Sequence, residues 1–225
     1  MLKSLSLHIV AMKVTMGKKS IAPPHTVYFF SIASFLSFCL ISILVISNRI
    51  IPVDNLVQSK ISQLWAPLLD KIMVFITNIV STLPLLIISS MLIIFFLYQK
   101  KYLSPALLAC SLVGATMLEW VIKHLIQRPR PAPTLSHVSG YSFPSGHSMI
   151  AMVFFSLLIY FFKDQIRNKI IRYSFIAINA LLIILVGFSR IYLNVHWLSD
   201  VLGGFALGFF WLSLMIVLFD YINSA

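Results

Sequence analysis

Charged residues are scarce in this sequence. They make up 10% of its 225 residues, whereas the hydrophobic types together make up 60%. Soluble domains carry about 25% charged residues, so this shortage excludes an ordinary soluble protein. Several apolar stretches reach the roughly 20 residues that a helix needs to cross a hydrocarbon core of about 30 Å. The strands of a membrane barrel would be short and alternating instead, so the sequence predicts an all-α, polytopic membrane helix bundle.

Cysteine is also rare, and no cleavable leader is predicted. Cys39 and Cys110 both fall within apolar stretches, where a thiol behaves as a small hydrophobic side chain. Two such residues provide no disulfide framework. The first 25 residues lack a compact apolar core followed by a small-residue cleavage site, so no removed signal peptide is predicted. We expect the first span to act as an uncleaved anchor.

Six membrane spans are predicted, with one ambiguous segment between the first two. The spans cover residues 26–47, 72–98, 103–126, 146–162, 173–190 and 198–219. Residues 51–71 mix apolar and polar positions too evenly to span. They fit either an interfacial amphipathic helix with Trp65 near the headgroups or an ordinary loop. Residues 26–220 are therefore the predicted membrane domain, and residues 1–25 a basic cytoplasmic N-terminal segment.

Basic residues outnumber acidic ones by 17 to 6 and give a formal net charge of +11. They are scattered between the spans and are not interleaved with aromatic residues on a soluble face, so we expect no nucleic-acid partner. With a cytoplasmic N-terminus, ten of the 17 lie inside and seven outside. Three of those seven receive another role below. The excess of positive charge inside then predicts that both termini are cytoplasmic and that residues 127–145 and 190–197 lie at the outer face.

Ionisable and hydroxyl side chains collect at the span ends on this outer face. Ionisable groups at membrane depth are costly and usually mark a functional site. Cations beside a Ser-Gly pair that opens a helix indicate an anion site, because the first helical turn presents free N–H groups. Phosphate is the expected anion, since a guanidinium fork matches its oxygens. The collected residues are Lys123, Arg128, Arg130, Ser145, His147, Arg190, His196 and Asp200.

Two histidines in this set have different predicted roles. His196 and Asp200 are four residues apart, so on a helix they would share a face, and the carboxylate would hold the imidazole in one tautomer. The other ring nitrogen would then be free to attack. His147 lies on a different span and can protonate a departing alkoxide. The two histidines among cations predict phosphoryl transfer through a phosphohistidine.

Three segments of the sequence resemble the signature of the type 2 phosphatidic acid phosphatase superfamily. They are "KHLIQRPRP" at 123–131, "PSGH" at 144–147 and "SRIYLNVHWLSD" at 189–200. The signature is Lys, six residues, Arg-Pro; then Pro-Ser-Gly-His; then Ser-Arg, five residues, His, three residues, Asp. All three parts match. The similarity covers residues 103–219, and the six-span layout extends it towards the N-terminus.

The resemblance implies a lipid phosphatase that needs no metal or other cofactor. By the resemblance, His196 is the nucleophile, Asp200 orients it, and His147 is the general acid. The phosphoryl oxygens would be bound by three cations and by the start of a helix, namely Lys123, Arg130, Arg190, Ser145 and Gly146. The implied bacterial substrates, each with a terminal phosphate monoester or pyrophosphate, are phosphatidylglycerophosphate, undecaprenyl pyrophosphate, phosphatidic acid and diacylglycerol pyrophosphate.

A second class of function uses the same cations: a membrane transporter or lipid-binding protein that holds phosphate without hydrolysing it. The pairing of His196 with Asp200, together with His147, argues against this class, because binding alone needs neither a nucleophile nor an acid. A metal hydrolase is not expected, since no HExxH motif is present and three cations would repel a divalent ion. The sequence leaves acyl-chain preference and oligomeric state open.

Four further polar residues have simpler predicted roles. Arg128 matches no defined position of the signature, so we expect it to extend its charge to the headgroups. Glu119 lies one turn before Lys123, which predicts an i, i+4 ion pair that offsets the cost of both charges. His124 and His137 are expected at the surface or at the membrane interface.

Aromatic residues and glycines near the span ends complete the predictions. Four aromatic residues are expected either to anchor the chain at the interface or to line the site: Tyr141, Phe143, Tyr192 and Trp197. Three glycines of the last predicted span indicate close helix packing: Gly203, Gly204 and Gly208.

Overall fold

The computed structural model describes residues 25–132 and 139–224, and the regular elements in these ranges are helices. In chain order they are α1 (His25–Ile46), α2 (Ile51–Ile61), α3 (Pro67–Asn78), α4 (Thr82–Tyr98), α5 (Leu103–Ile126), α6 (Gly146–Phe162), α7 (Lys169–Tyr192) and α8 (Leu198–Ser224). Short 3₁₀ helices lie at Ser62–Leu64 and Lys163–Gln165. The predicted basic segment 1–25, apart from its last residue, and His137 lie outside the described residues.

The helices confirm the predicted all-α membrane bundle. Five of them, α1, α5, α6, α7 and α8, are long and apolar enough to cross a bilayer, and α3 with α4, bent by 41° at a short break, gives a sixth if the pair is counted as one span. The predicted second span, 72–98, corresponds to this pair, which begins earlier, at Pro67, and is broken between Asn78 and Thr82. Pro84 accounts for the break, because its ring would clash with the carbonyl of Val80 in a continuous helix. The chain accordingly restarts its helix at Thr82.

Residues 51–71 are helical and do not form an ordinary loop. Helix α2 has a proline in its first turn, where the missing N–H breaks no helical bond. A 3₁₀ turn then leads to α3, which also begins with a proline, Pro67. Trp65 lies at this elbow, and its indole N–H donates to the Tyr192 carbonyl oxygen at 2.9 Å. The elbow is thereby attached to the C-terminal end of α7.

Helices α6 and α8 pack closely in the centre of the bundle. A Cβ atom added to Gly204 would lie 2.6 Å from the Ser145 carbonyl oxygen, and one added to Gly208 would lie 2.8 Å from that of Met149. The predicted close packing at these glycines is confirmed. The N–H of Ser145 also donates to the Asp200 carbonyl oxygen at 3.0 Å. The first turns of α6 and α8 therefore lie side by side, although they are distant in the sequence.

Candidate active site

A cavity of about 620 Å³ opens where the three signature segments meet. Six of the eight residues predicted for the site line it: Lys123, Arg130, Gly146, His147, Arg190 and His196. Away from this polar end, the cavity runs along α4 and α5, where Leu85, Ile93 and Leu112 are among the lining residues. The structure thus places the cations and both histidines around one space that continues into an apolar groove.

His196 lies in the turn before α8, and its ring is fixed from both sides. Its Nδ1 is 3.3 Å from Asp200 Oδ2, and its Nε2 is 3.1 Å from Arg130 Nη1. Because a guanidinium can only donate, Nε2 must be the acceptor and the ring proton must be on Nδ1. This tautomer donates to Asp200 and turns the Nε2 lone pair towards the cations.

The contact between His196 and Asp200 does not arise from a shared helix face. His196 precedes α8, whereas Asp200 is in its first turn. The contact forms because the turn folds back over the start of the helix, where the Trp197 N–H also donates to Asp200 Oδ2 at 2.9 Å. The predicted proximity is present, but the predicted geometric reason for it is wrong.

Burial keeps the His196 imidazole neutral. The residue is only 2% exposed, and this burial lowers the pKa of His196 from its ordinary 6.5 to about 4. The charges of Arg190 and Arg130 contribute to this lowering of the pKa, while the bond to Asp200 opposes it. Above about pH 4 the ring is therefore unprotonated and able to act as a nucleophile.

This depressed pKa gives a directly measurable expectation. In ¹⁵N NMR spectra of histidine-labelled protein in micelles, the His196 ring signals should stay those of the neutral form between about pH 5 and 8. The spectrum of His196→Gln identifies these signals by their absence. Because protonation is expected only near pH 4, a His196 titration midpoint near 6.5 would contradict this description of the site.

Arg130 is held in place by carbonyl oxygens. Its guanidinium donates to the Gly140 oxygen at 3.0 Å, the Tyr141 oxygen at 3.1 Å and the Val195 oxygen at 2.8 Å. These bonds orient the cation beside His196 before any ligand arrives. A fixed donor of this kind stabilises developing negative charge without having to reorganise during the reaction.

Arg190 is buried at the cavity wall with one donor still unsatisfied. It is 4% exposed, and its Nη1 donates to Thr77 Oγ1 at 2.7 Å. Among the described residues, its Nε has no hydrogen-bond partner. A buried donor without an acceptor is uncommon in folded proteins. Its position at the wall of the cavity suits an acceptor oxygen of a bound anion.

Lys123 forms the predicted ion pair with Glu119, with Nζ 2.6 Å from Oε1. This prediction is confirmed, and both side chains line the cavity. A Cβ atom on Gly146 would lie 2.6 Å from the same Glu119 oxygen. The glycine at the start of α6 therefore leaves the space that the carboxylate occupies.

Ser145 caps α6 and is completely buried. Its Oγ accepts a hydrogen bond from the Ser148 hydroxyl at 2.9 Å and one from the Ser148 N–H at 3.4 Å. Only its own hydroxyl proton is left for another acceptor. Its predicted contact with phosphate, like that of Gly146, stays a prediction.

Arg128 does not extend to the headgroups, and that prediction is wrong. It is 9% exposed and forms ion pairs with Asp54 and Asp200, each at 2.6 Å. The reason is that α2 folds against the start of α8 and brings Asp54 beside Arg128. Asp54 has a weak signal in the sequence, as one of only six acidic residues in an apolar chain. Its partner cannot be identified from local spacing.

The remaining predicted residues lie around the site. His124 is exposed, as expected. The four aromatic residues that were expected either to anchor the chain at the interface or to line the site are not among the residues that line the cavity. Phe143 stacks on Phe38 at 5.9 Å between ring centroids. Tyr192 donates to Asp70 Oδ1 at 2.7 Å, and the Trp197 indole N–H donates to the Pro129 oxygen at 3.1 Å.

The fold and the site together define a membrane-embedded phosphatase. A membrane helix bundle encloses a cavity in which two histidines lie among three cations. The family model described as the PAP2 superfamily matches residues 104–224. The chain belongs to the PAP2 superfamily, and it is a lipid phosphatase of that superfamily.

Individual relatives agree with this family. Phosphatidylglycerophosphatase B from Bacillus subtilis (strain 168) is 34% identical over an alignment of 187 residues that covers 79% of this chain and 88% of that protein. Dolichyldiphosphatase from Saccharomyces cerevisiae is 30% identical over an alignment of 143 residues that covers 60% of this chain and 59% of that protein. The crystal structure of a transmembrane PAP2 type phosphatidylglycerolphosphate phosphatase from Bacillus subtilis superposes with a TM-score of 0.77 at 30% identity. The superposition covers 86% of this chain and 98% of the chain in that crystal structure.

Proposed function

We propose that this phosphatase hydrolyses phosphatidylglycerophosphate through a phosphohistidine on His196. The observation that carries the mechanism is the orientation of the ring. Nδ1 faces Asp200 at 3.3 Å, and Nε2 faces the Arg130 guanidinium at 3.1 Å. A neutral imidazole with its lone pair directed at a cationic cavity has the arrangement of an activated nucleophile.

In the first proposed step, His196 Nε2 attacks phosphorus and the bond from phosphorus to the lipid oxygen breaks. His147 donates a proton to that oxygen, so the lipid leaves as an alcohol. In the second step, His147 removes a proton from water, the water oxygen attacks phosphorus, and the phosphorus–nitrogen bond breaks. Inorganic phosphate is released and both histidines return to their starting forms.

Three cations are proposed to bind the transferred group. Lys123, Arg130 and Arg190 line the same cavity as both histidines. A phosphoryl transition state spreads negative charge over its equatorial oxygens, so it needs positioning and positive charge more than covalent assistance. On binding, a phosphoryl oxygen would take the place of His196 Nε2 as the acceptor for Arg130.

The substrate is proposed to be a lipid because the cavity changes character along its length. Its polar end has the cations, and its other end lies between α4 and α5 among side chains such as Leu86, Ile93 and Val113. An acyl chain fits such an apolar wall, while the phosphate remains at the polar end. Phosphatidylglycerophosphate is preferred because the relative from Bacillus subtilis that shares 34% identity has the name of a phosphatase for that lipid.

We propose further that the site faces the outer side of the plasma membrane and that both termini are cytoplasmic. The excess of Lys and Arg in segments that this topology places inside supports the orientation. Cysteine-accessibility labelling tests it. A single cysteine at Ser59, in a variant without Cys39 and Cys110, should react with an impermeant maleimide in intact cells. A cysteine at Gln99 should react only after permeabilisation, and the opposite pattern would reverse the topology.

The substrate proposal is tested with the purified protein in detergent and EDTA. Release of inorganic phosphate is measured from the four candidate lipids at matched surface concentration. We expect the highest kcat/KM for phosphatidylglycerophosphate, at least about tenfold above the others, which corresponds to about 1.4 kcal/mol of discrimination. A preference for undecaprenyl pyrophosphate would change the substrate and keep the enzyme class. Absence of release from all four, with the protein folded, would favour the non-catalytic transporter.

A further inference from the structure

A buried network of charged side chains lies behind His196 and is centred on Arg128. Its guanidinium donates to Asp200 Oδ1 through Nη1 and to Asp54 Oδ2 through Nη2, both at 2.6 Å. Arg128 is 9% exposed, and the two carboxylates are 0% and 1% exposed. Arg128 therefore links an acid on α2 to the acid that contacts His196.

Ser199 also belongs to the network and fixes the orientation of the Asp54 carboxylate. Its N–H donates to Asp54 Oδ1 at 3.0 Å, and its hydroxyl donates to Asp54 Oδ2 at 2.6 Å. The same hydroxyl accepts a bond from Arg128 Nη1 at 2.7 Å. Both oxygens of Asp54 are thus hydrogen-bonded, which offsets the cost of burying this polar side chain.

The two oxygens of Asp200 are divided between two tasks. Oδ1 accepts from Arg128, while Oδ2 accepts from the Trp197 N–H and faces His196 Nδ1. Because Arg128 engages one oxygen in a fixed direction, the other oxygen is directed at the imidazole. Rotation of the carboxylate would break the bond to the guanidinium, so the bridge restricts it.

The charges of the network matter as much as its geometry. Arg128 alone would neutralise Asp200, since a cation in contact with a carboxylate cancels most of its field at a distance. Asp54 compensates for that cation, so the three groups together keep a net negative charge behind His196. When His196 is phosphorylated, its ring becomes positive, and a fixed negative charge on the Nδ1 side stabilises this state.

We propose that Asp54 and Arg128 are positioning residues of the catalytic site, which orient Asp200 and preserve the negative charge that supports His196. The inference rests on the proposed function, in which His196 is the nucleophile. Asp54 lies on α2, outside the three signature segments, and Arg128 occupies an undefined position of the first. Helix α2 therefore supplies part of the site that no signature residue provides.

The test is a charge-compensation experiment in detergent with phosphatidylglycerophosphate, using the lipid that the panel prefers if it is another one. Asp54→Asn keeps the shape of the side chain and removes its charge. We expect kcat to fall about 10- to 100-fold, as for other residues that orient a functional group of a site without contacting the substrate. KM should change less than about twofold, because the residues proposed to bind phosphate are untouched.

The double variant Asp54→Asn/Arg128→Met distinguishes charge from structure. Removing the cation as well returns a net negative charge to Asp200, so kcat should rise at least about threefold above that of Asp54→Asn. A network that only holds the fold together would lose more stability with each change and show no recovery. Additive losses in the double variant would overturn the role of charge.

Asp70→Asn is the matched control, because it makes the same chemical change at an acid that accepts a hydrogen bond from Tyr192 and is not a member of the network. Its kcat should remain within about twofold of wild type. Equal kcat for Asp54→Asn and Asp70→Asn would overturn the inference. An inactive wild type, or an active His196→Ala, would instead overturn the proposed function. These outcomes separate the two claims.

A second variant covers the case in which Asp54→Asn does not fold, as judged by size-exclusion chromatography and thermal unfolding. Arg128→Lys keeps the charge, but its single ammonium cannot reproduce the planar fork that bridges two carboxylates. We expect kcat to fall about tenfold with KM unchanged. Wild-type kcat in Arg128→Lys would show that the bridge does not position Asp200.

Discussion

His196→Ala is expected to lower phosphate release by at least about 10⁴-fold, because it removes the atom proposed to attack phosphorus. The cations remain, so lipid binding should persist and KM should change little. The measurement is phosphate release from the preferred lipid in detergent with EDTA. Thermal unfolding shows whether the variant is folded. The proposed covalent intermediate should also disappear when ³²P-labelled substrate is quenched in alkali, where phosphohistidine survives.

His124→Ala is the matched control for this prediction. It removes an exposed imidazole whose Nδ1 contacts the Trp120 carbonyl oxygen at 2.8 Å, on α5. Its activity should stay within about twofold of wild type. A folded His196→Ala protein with activity close to that of His124→Ala would exclude His196 as the nucleophile. Another residue of the cavity would then have to carry the phosphoryl group.

The second large effect concerns His147. His147→Asn should lower turnover of the lipid substrate about 10²- to 10⁴-fold, because an alkoxide leaves poorly without a proton. An aryl phosphate with an acidic phenol as its leaving group does not need that proton. With it, His147→Asn should release one equivalent of phenol per enzyme in a burst. Slow turnover should follow, since hydrolysis of the phosphohistidine still lacks its base.

Rapid-quench measurement of phenol release checks this burst, with His124→Asn as the control. The burst requires two separable steps and a histidine that acts in both of them. If His147→Asn lowers the lipid and aryl rates equally and shows no burst, His147 does not protonate the leaving group. A structural role for the residue would explain that result instead.

The features that the sequence predicted well are those that depend on local spacing and on hydropathy. Apolar length alone identifies the spans, because a bilayer imposes one thickness on every helix. The Glu119–Lys123 pair follows from the helical repeat. The glycines of α8 follow from the need for small residues where helices approach. Each of these predictions uses only the composition or the spacing of residues within one segment.

The features that could not be predicted depend on contacts between distant segments. Asp54 and Arg128 are 74 residues apart, and Thr77 and Arg190 are 113 apart. No periodicity relates such pairs, since the fold of the whole chain brings them together. Arg128 resembled a surface cation because a basic residue near a span end usually extends to the headgroups. Only the position of α2 shows that it is buried.

The break between α3 and α4 was missed for a different reason. Hydropathy is continuous across residues 72–98, and one proline within an apolar stretch often only kinks a membrane helix. Here the chain leaves the helix at Asn78 and resumes it at Thr82. The break lets α3 end beside Arg190, where Thr77 can accept its hydrogen bond. A straight helix would give the cavity a different wall.

The unsatisfied Nε of Arg190 bears on two properties: the stability of the folded protein and the proposed binding of phosphate. Among the described residues this buried donor has no acceptor, and such a group destabilises a folded protein by about 1–3 kcal/mol. If Arg190 binds phosphate as proposed, a phosphate oxygen that accepts from Nε would remove this penalty on binding. The free energy that the unsatisfied donor costs the empty protein would then strengthen the binding of phosphate. A substitution that removes Nε would be expected to stabilise the fold and to weaken that binding.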